Sequence, residues 1–533
     1  MRFCARDVLN DIDRNAVASI TRRLVGPSAA LAVVGLVTRV WPFFDGARRY
    51  MERFPTEDGY FMLAIGRNLA IGKGFSTADG TIETNGTQPL TTFVWALCFW
   101  LSGGDRAGGV ALVLVYEVVM SMLAAWALYR FGLRLLGERV YARSVSLLAA
   151  ALWFASPLTI LHTMNCLETG TYAFFVLLCA HALIDLSELP NRGWELRRVL
   201  TFGALLGATF WARNDAVFLI GATCVCYLLP VLRDAAALRV RLARTLAFGA
   251  LSVLVASPWL IYNYVGFGSI MPVSGRAERL TGHLGGNVLS VLTTLLEYAS
   301  LALPIPQTLQ DSLGFALLGV LVLLALIAIL VRIYKQATPQ ERTIIAWVAC
   351  YGLLLSGYYG IFFGAQWFVQ RYLFPLAAFF AVLLGVILFA VRDRLSGKLR
   401  EAFMPIMTAL MVGACIAVNV RNQVMNRDHP HFQVIRWVQE HVPEDVWVGA
   451  IQTGTLGFFH DRTLNFDGKV NPAAYQAAIE GRRPAYVAGT NVQYLVDWVG
   501  IVTWMKDPPI AAAFQVLVED NEHNLGVLGR KPR

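Results

Sequence analysis

Apolar residues are grouped along this chain in long blocks rather than in the strict alternation of half-buried strands. Blocks of spanning length fall at about 24–44, 108–129, 143–161, 171–187, 198–212, 216–232, 246–265, 313–332, 343–363, 373–391 and 402–419. A membrane-crossing helix needs about 17–25 such residues. The pattern therefore predicts about eleven transmembrane helices, with soft boundaries for the short fifth run. Beyond residue 420 the pattern changes. HFQVIRWVQEHV reads as an amphipathic helix, and VWVGAI, TLNFDG, YLVDWVG and FQVLVE read as strands separated by turns. This predicts a small α/β domain over 420–533, after a 24–419 transmembrane domain and a 1–23 N-terminal segment.

Basic residues mark the turns between blocks and set an orientation. Arg22 and Arg23 place the N-terminus in the cytoplasm. The other clusters are Arg130, Arg134, Arg139 and Arg143; Arg192, Arg197 and Arg198; Arg233, Arg239, Arg241 and Arg244; Arg332, Lys335 and Arg342; and Arg392, Arg394, Lys398 and Arg400. With eleven spans all of them fall on the cytoplasmic side, and the C-terminal domain falls outside. One apolar segment, PLTTFVWALCFWLSG at 89–103, must be set aside for this to hold. It is shorter than a span, and is predicted to lie at the outer interface or to re-enter within the first outer loop, 45–107.

Composition narrows the class. Soluble domains carry about 25% charged residues; this chain of 533 residues carries 15%, with 56% hydrophobic residues and a mean hydropathy of +0.53. A soluble core cannot hide that apolar surface, and disorder, a collagen-like chain or a small disulfide scaffold are excluded. The net charge of +9 is spread over short clusters between apolar runs, so no nucleic-acid partner is expected. No Cys follows Cys415, so the C-terminal domain holds no internal disulfide. The first 23 residues are polar and Arg-containing, and the run after them is long enough to remain as a signal anchor, so no cleavable signal peptide is predicted.

Candidate chemistry gathers in the outer loops. Glu57-Asp58-Gly59-Tyr60 comes after the first span. An acid there can take a proton from a hydroxyl while a lipid-borne substrate lies alongside in the bilayer; alternatively, the two acids cap the next helix. Asn165-Cys166-Leu167-Glu168-Thr169-Gly170 puts a single acid, Glu168, at the head of another span, either paired with Asp58 or as a helix N-terminal acid. Trp211-Ala212-Arg213-Asn214-Asp215 offers Arg213 to a phosphate, or closes the turn with an Arg213–Asp215 ion pair. Arg276 and Arg279 lie in the 266–312 loop. Arg371 stands at the mouth of the tenth span, suited to bidentate phosphate binding or to snorkelling beside Trp367, Phe368 and Tyr372. No metal-ligand spacing, Walker motif or GxGxxG fingerprint occurs. No cofactor is expected; a divalent cation is left open.

In their order these pieces resemble the GT-C membrane glycosyltransferases that use polyprenyl-phosphate sugars. That superfamily includes protein O-mannosyltransferases, lipid A aminoarabinose transferases and the terminal arabinofuranosyltransferases of mycobacterial cell walls. The resemblance rests on Glu57-Asp58-Gly59-Tyr60, Arg67-Asn68-Leu69-Ala70, Gly72-Lys73-Gly74-Phe75, Asn85-Gly86-Thr87-Gln88-Pro89-Leu90, Leu167-Glu168-Thr169-Gly170, Arg213-Asn214-Asp215 and Arg371-Tyr372-Leu373-Phe374-Pro375. It covers about 45–375, with the arabinofuranosyltransferase-like and protein O-mannosyltransferase-like branches nearest.

The resemblance implies a GT-C fold in the bacterial inner membrane, with the C-terminal domain periplasmic. It implies inverting transfer of a sugar from a polyprenyl-phosphate donor to a glycan, lipid or protein acceptor on the outer face. Asp58 would be the catalytic base, with Glu57 and Glu168 as further catalytic acids. Arg371, Arg213 and Arg276 would bind the donor phosphate. Tyr60, Asn85, Gln88, Asn165 and Asp215 would complete the substrate site. Two other classes fit the same topology: a transporter or flippase of lipid-linked sugars, which calls for ionisable residues deep in several spans, and a non-catalytic cell-envelope assembly protein.

Overall fold

The structure, a computed structural model, describes residues 14–190, 195–301, 313–422 and 429–532. Arg192 of the basic clusters lies outside them. Among the described residues, eight helices are long and apolar enough to cross a membrane: Leu24–Asp45, Arg106–Leu136, Thr169–Ser187, Ala235–Phe267, Leu317–Gln336, Pro339–Phe362, Pro375–Arg392 and Gly397–Val420. The pair Ala142–Ala155 and Pro157–Thr163, bent by 62°, makes a ninth if taken together. The bend sits at Ser156, whose extended backbone suits a residue before proline and whose hydroxyl accepts from the Thr159 amide at 3.4 Å. The fifth and sixth apolar runs form the helices Leu196–Ala212, of 17 residues, and Ala216–Leu228, of 13. All eleven runs are therefore helical, the third as the bent pair, and the chain is a multi-pass helical membrane protein with a small C-terminal sheet domain.

Segment 89–103 forms a helix, Pro89–Leu101, of 13 residues, which is about 20 Å at 1.5 Å per residue against a hydrocarbon layer of about 30 Å. It packs beside the helix Glu57–Ala70, and Trp95 Nε1 donates to the Cys166 carbonyl at 3.0 Å. The middle loop holds two helices that the pattern did not reveal, Val273–Arg279 and Val288–Ser300. Asn287 fixes the second by donating to the carbonyls of Tyr359, Phe363 and Gly364 at 2.8–2.9 Å.

The membrane core is centred on Trp153, Tyr172, Trp347, Tyr351 and Phe374, all fully buried. Leu317, Leu318, Leu321 and Leu324 of the helix Leu313–Gln336 stay exposed, as a lipid-facing surface requires.

The C-terminal domain has the predicted leading helix, Phe432–His441, and a five-stranded sheet: β1 (Val448–Ala450), β2 (Thr463–Asn465), β3 (Tyr494–Asp497), β4 (Phe514–Asp520) and β5 (Leu525–Arg530). The order is β2-β1-β3-β5-β4, with β1 parallel to β2 and β3, and β5 antiparallel to β3 and β4. Strand β5 and the helices Gly454–Phe459, Pro472–Ile479, Arg483–Gly489 and Pro508–Ala513 add to the elements read from sequence.

Three contacts seat this domain on the membrane domain. Asp461 takes Arg67 at 3.3 Å, Lys73 at 2.5 Å and Arg106 at 2.9 Å. Phe458 packs with Tyr60 and Phe99. Glu57 reaches the start of the helix Gly454–Phe459, where Gly454 has no room for a side chain: a Cβ there would lie 1.9 Å from the Glu57 carbonyl oxygen.

Candidate active site

Asp58 lies in the first turn of the helix Glu57–Ala70. The cap of that helix is Thr56, whose hydroxyl accepts from the Gly59 amide at 3.1 Å, so neither acid serves as the N-cap. The loop that carries Asn165 closes on this turn, with the Asn165 carbonyl accepting from the Thr56 amide at 3.3 Å. Asp58 Oδ2 accepts from Arg371 Nη1 at 2.8 Å. On its other side Lys469 Nζ, from the loop after β2, is 3.9 Å from Asp58 Oδ1. Burial alone would raise the Asp58 carboxyl, but Lys469 and Arg371 together outweigh it and hold it below the ordinary carboxylate value. Asp58 is thus a carboxylate between two cations, at the junction of the membrane and C-terminal domains.

Arg371 sits on the helix Val369–Leu373, over the rings of Phe368 at 4.7 Å and Tyr372 at 5.2 Å. Its Nε is buried without a hydrogen-bond partner, so the guanidinium keeps donor capacity beyond Asp58. Arg213 is placed differently. It is 3% exposed and held by Asp215 at 3.1 Å and Glu168 at 3.6 Å; its Nη1 donates to the Arg371 carbonyl at 3.3 Å. Asp215 also accepts from the Tyr359 hydroxyl at 2.7 Å, and Tyr359 stacks on Tyr372 at 4.2 Å. Arg213 is buried between two carboxylates, a cluster with one more acid than base beside the Arg371 backbone, whereas Arg371 has one direct carboxylate partner.

The other expected residues divide between the surroundings of the Asp58–Arg371 pair and its scaffold. Arg276, on the helix Val273–Arg279, lies over the Tyr475 ring at 4.9 Å with its Nε buried and unpartnered. Glu57 turns away from Asp58 and accepts from the amides of Gly454 and Thr455 and the Thr455 hydroxyl, with His431 Nδ1 4.0 Å away. Burial raises the Glu57 carboxyl despite His431 and these bonds. Tyr60 is fully buried, donates to the Met51 carbonyl at 2.6 Å and packs among Phe432, Phe458 and Phe459, so it does not reach the Asp58–Arg371 pair. Asn85 bridges Asn263 and the Val273 amide, both at 3.0 Å. Gln88 accepts from the Asn214 amide at 3.2 Å, and Asn165 Oδ1 accepts from the Leu167 amide at 3.1 Å. These last three shape the loops around the site.

Lys469, Asp467 and Glu278 were not picked out from sequence. The only local sign is the Asp467-Gly468 turn, where Gly468 takes φ 91°. Burial raises the Asp467 carboxyl to about 6, against the opposing pull of Lys469.

Comparison with known proteins places this geometry in a fold. ArnT from Cupriavidus metallidurans, solved bound to undecaprenyl phosphate, superposes with a TM-score of 0.59 at 14% identity, covering 96% of this chain and all of that one. The Archaeoglobus fulgidus oligosaccharyltransferase, solved with Zn and sulfate, gives 0.54 at 13% identity over 89% of this chain and 68% of that one. AglB from Archaeoglobus fulgidus, solved with an inhibitory peptide and a dolichol-phosphate, gives 0.52 at 11% identity over 95% and 74%. The chain therefore has the GT-C fold that its motifs implied. Residues 418–524 match a family described as a domain of unknown function, DUF8728. No curated protein sequence matches.

Proposed function

We propose that this protein is an integral-membrane glycosyltransferase. It transfers a sugar from a polyprenyl-phosphate donor to an acceptor hydroxyl on the outer face of the inner membrane, with inversion. The observation that carries this is the Asp58–Arg371 pair at 2.8 Å, with the Arg371 Nε unpartnered, at the junction of the two domains. Lipid phosphates bound to two fold neighbours support a donor of this chemistry. The basic clusters support a cytoplasmic N-terminus and a periplasmic C-terminal domain.

The donor phosphate is a stronger ligand for Arg371 than one shared carboxylate, since Arg meets phosphate in bidentate fashion. When Arg371 turns to the phosphate, Asp58 loses one of its two cations and its proton affinity rises. Asp58 then takes the proton of the acceptor hydroxyl. The acceptor oxygen bonds to the anomeric carbon from the face opposite the phosphate, and the carbon–oxygen bond to phosphate breaks. The lipid phosphate leaves as a dianion, stabilised by Arg371 and Arg276. Glu168 and Asp215 hold Arg213, which in turn fixes the Arg371 backbone. Glu57 docks the C-terminal domain. The family branches that the motifs resemble make arabinofuranosyl and mannosyl donors the first to try.

The test is transfer by the purified protein with a panel of radiolabelled polyprenyl-phosphate sugars, including arabinofuranosyl, mannosyl and aminoarabinosyl donors. Release of lipid phosphate coupled to label in an acceptor is expected for at least one donor. Donor movement across vesicles without any transfer would favour a flippase.

A further inference from the structure

Three carboxylates converge beside the Asp58–Arg371 pair, and an ammonium group lies among them. Lys469 Nζ is 2.6 Å from Glu278 Oε1, 3.9 Å from Asp58 Oδ1 and 4.0 Å from Asp467 Oδ2. It lies over the Phe368 ring at 5.2 Å. The carboxylates come from three separate elements: the helix Glu57–Ala70, the helix Val273–Arg279 and the loop after β2. Arg371 is the other cation facing the cluster.

The backbone fixes Lys469 in this position. Asp467 Oδ1 accepts from the Lys469 amide at 2.7 Å, and Asn465 Oδ1 accepts from the Gly468 amide at 2.9 Å. Gly86 lets the loop approach, since a Cβ there would lie 2.2 Å from the Lys469 carbonyl oxygen. Burial would lower the ammonium, but Asp58, Asp467 and Glu278 outweigh it and keep it charged.

A fold neighbour solved with zinc raises the question of a metal here. Among the described residues, no group of three or more His, Cys, Asp or Glu side chains is disposed to hold one. Asp58, Glu278 and Asp467 are instead gathered around Lys469. With all three ionised, Lys469 and Arg371 leave the cluster with a single net negative charge; a site that must accept a phosphate needs both cations.

We infer that Lys469, delivered by the C-terminal domain, supplies the charge that a divalent cation would otherwise supply, so that transfer runs without a metal ion. Lys469 is then a positioning residue: it keeps Asp58 ionised and offsets Glu278 and Asp467. The C-terminal domain is thereby part of the active site and not only a platform for the acceptor. This inference rests on the glycosyltransferase reading for its kinetic arm and is independent of that reading for its binding arm.

The experiment uses the full-length purified protein as wild type, Lys469→Met and Lys469→Arg. In the kinetic arm, wild-type transfer is expected to be unchanged by EDTA and by added Mn²⁺. Lys469→Met should lose about 100-fold in kcat, on the scale of a general base deprived of its correct protonation state. Its acid limb in kcat/KM should move to higher pH, because Asp58 loses a neighbouring cation. Lys469→Arg should recover most of the rate, a rescue that lost folding would not give. Abolition of wild-type transfer by EDTA with restoration by Mn²⁺, or an unshifted acid limb in a fully active Lys469→Met, overturns the inference.

The binding arm titrates Mn²⁺ and reads the free ion by electron paramagnetic resonance. No stoichiometric Mn²⁺ site is expected in wild type. Stoichiometric Mn²⁺ binding by wild type overturns the inference even if no sugar donor is found.

Discussion

The Asp58 carboxylate and the Arg371 guanidinium, 313 positions apart in the chain, meet at 2.8 Å. The pair has two consequences. It places the proposed base beside the proposed phosphate ligand, so donor binding and base activation draw on the same guanidinium. It also keeps Asp58 ionised before substrate arrives, since Arg371 and Lys469 outweigh the burial that would raise its carboxyl. A base held low is a weak base; release of Arg371 to the donor turns it into a stronger one at the moment it is needed.

Arg371→Ala should weaken binding of a polyprenyl-phosphate donor by about 10- to 150-fold, the equivalent of one charge-assisted bond worth about 1.5–3 kcal/mol. Arg371→Lys should recover only part, having lost the planar fork. Donor affinity measured by titration on the folded variants checks this. Unchanged affinity in Arg371→Ala would make Arg371 an interfacial anchor on Phe368 and Tyr372.

His431 gives the seating of the C-terminal domain a pH dependence. Its Nε2 is 3.2 Å from Asp497 and its Nδ1 4.0 Å from Glu57. Burial would lower the imidazole, but Asp497 and Glu57 outweigh it and raise it above the ordinary 6.5. The stabilisation is therefore complete below 6.5 and is lost as pH rises through the higher folded value. The Tm difference between wild type and His431→Asn should be largest in acid and shrink above pH 6.5. A constant difference across that range would show that His431 acts by packing alone.

The orientation is open to thiol labelling. A Cys placed near Arg139 should be shielded from an impermeant reagent in intact cells, and one near Asn471 should be labelled. Labelling near Arg139 with protection near Asn471 would mean that the helix Pro89–Leu101 spans the membrane after all and inverts the orientation of the helices beyond it.

Much of the fold was legible because apolar blocks and membrane helices have the same cause: backbone groups in hydrocarbon must be bonded within the helix. All eleven blocks are helical, the third as a bent pair, and the 89–101 segment is a 13-residue helix, the same length as Ala216–Leu228. The parts that were not legible are long-range or locally disguised. The helix Val288–Ser300 reads as one more apolar run inside a loop. Strand β5, Leu-Gly-Val-Leu-Gly-Arg, carries glycines where strand side chains should alternate.

The site was legible as a set of residue types and not as partnerships. Asp58 stood out as an acid able to take a proton at the membrane surface, and Arg371 as a guanidinium suited to phosphate. Nothing local to Glu57 says that it turns to Gly454 and Thr455 instead of to the Asp58–Arg371 pair. Nothing local to Lys469, in a turn of a separate domain, says that it meets Asp58. Tyr60 shares the Glu57-Asp58-Gly59-Tyr60 motif with the acid, but helical geometry sends its side chain into the core, two residues and about 200° around from Asp58.

The most direct measurement is sugar transfer by Asp58→Asn, normalised to monodisperse, donor-binding protein. The swap keeps size and removes only the ability to take a proton. A general base contributes about 10²–10⁴-fold, so normalised transfer should fall by that much while donor binding survives or tightens, because Arg371 is freed from its carboxylate. Glu57→Gln should act chiefly on domain seating and leave turnover per folded molecule close to wild type. Full normalised transfer by Asp58→Asn would contradict the assignment of Asp58 as the base.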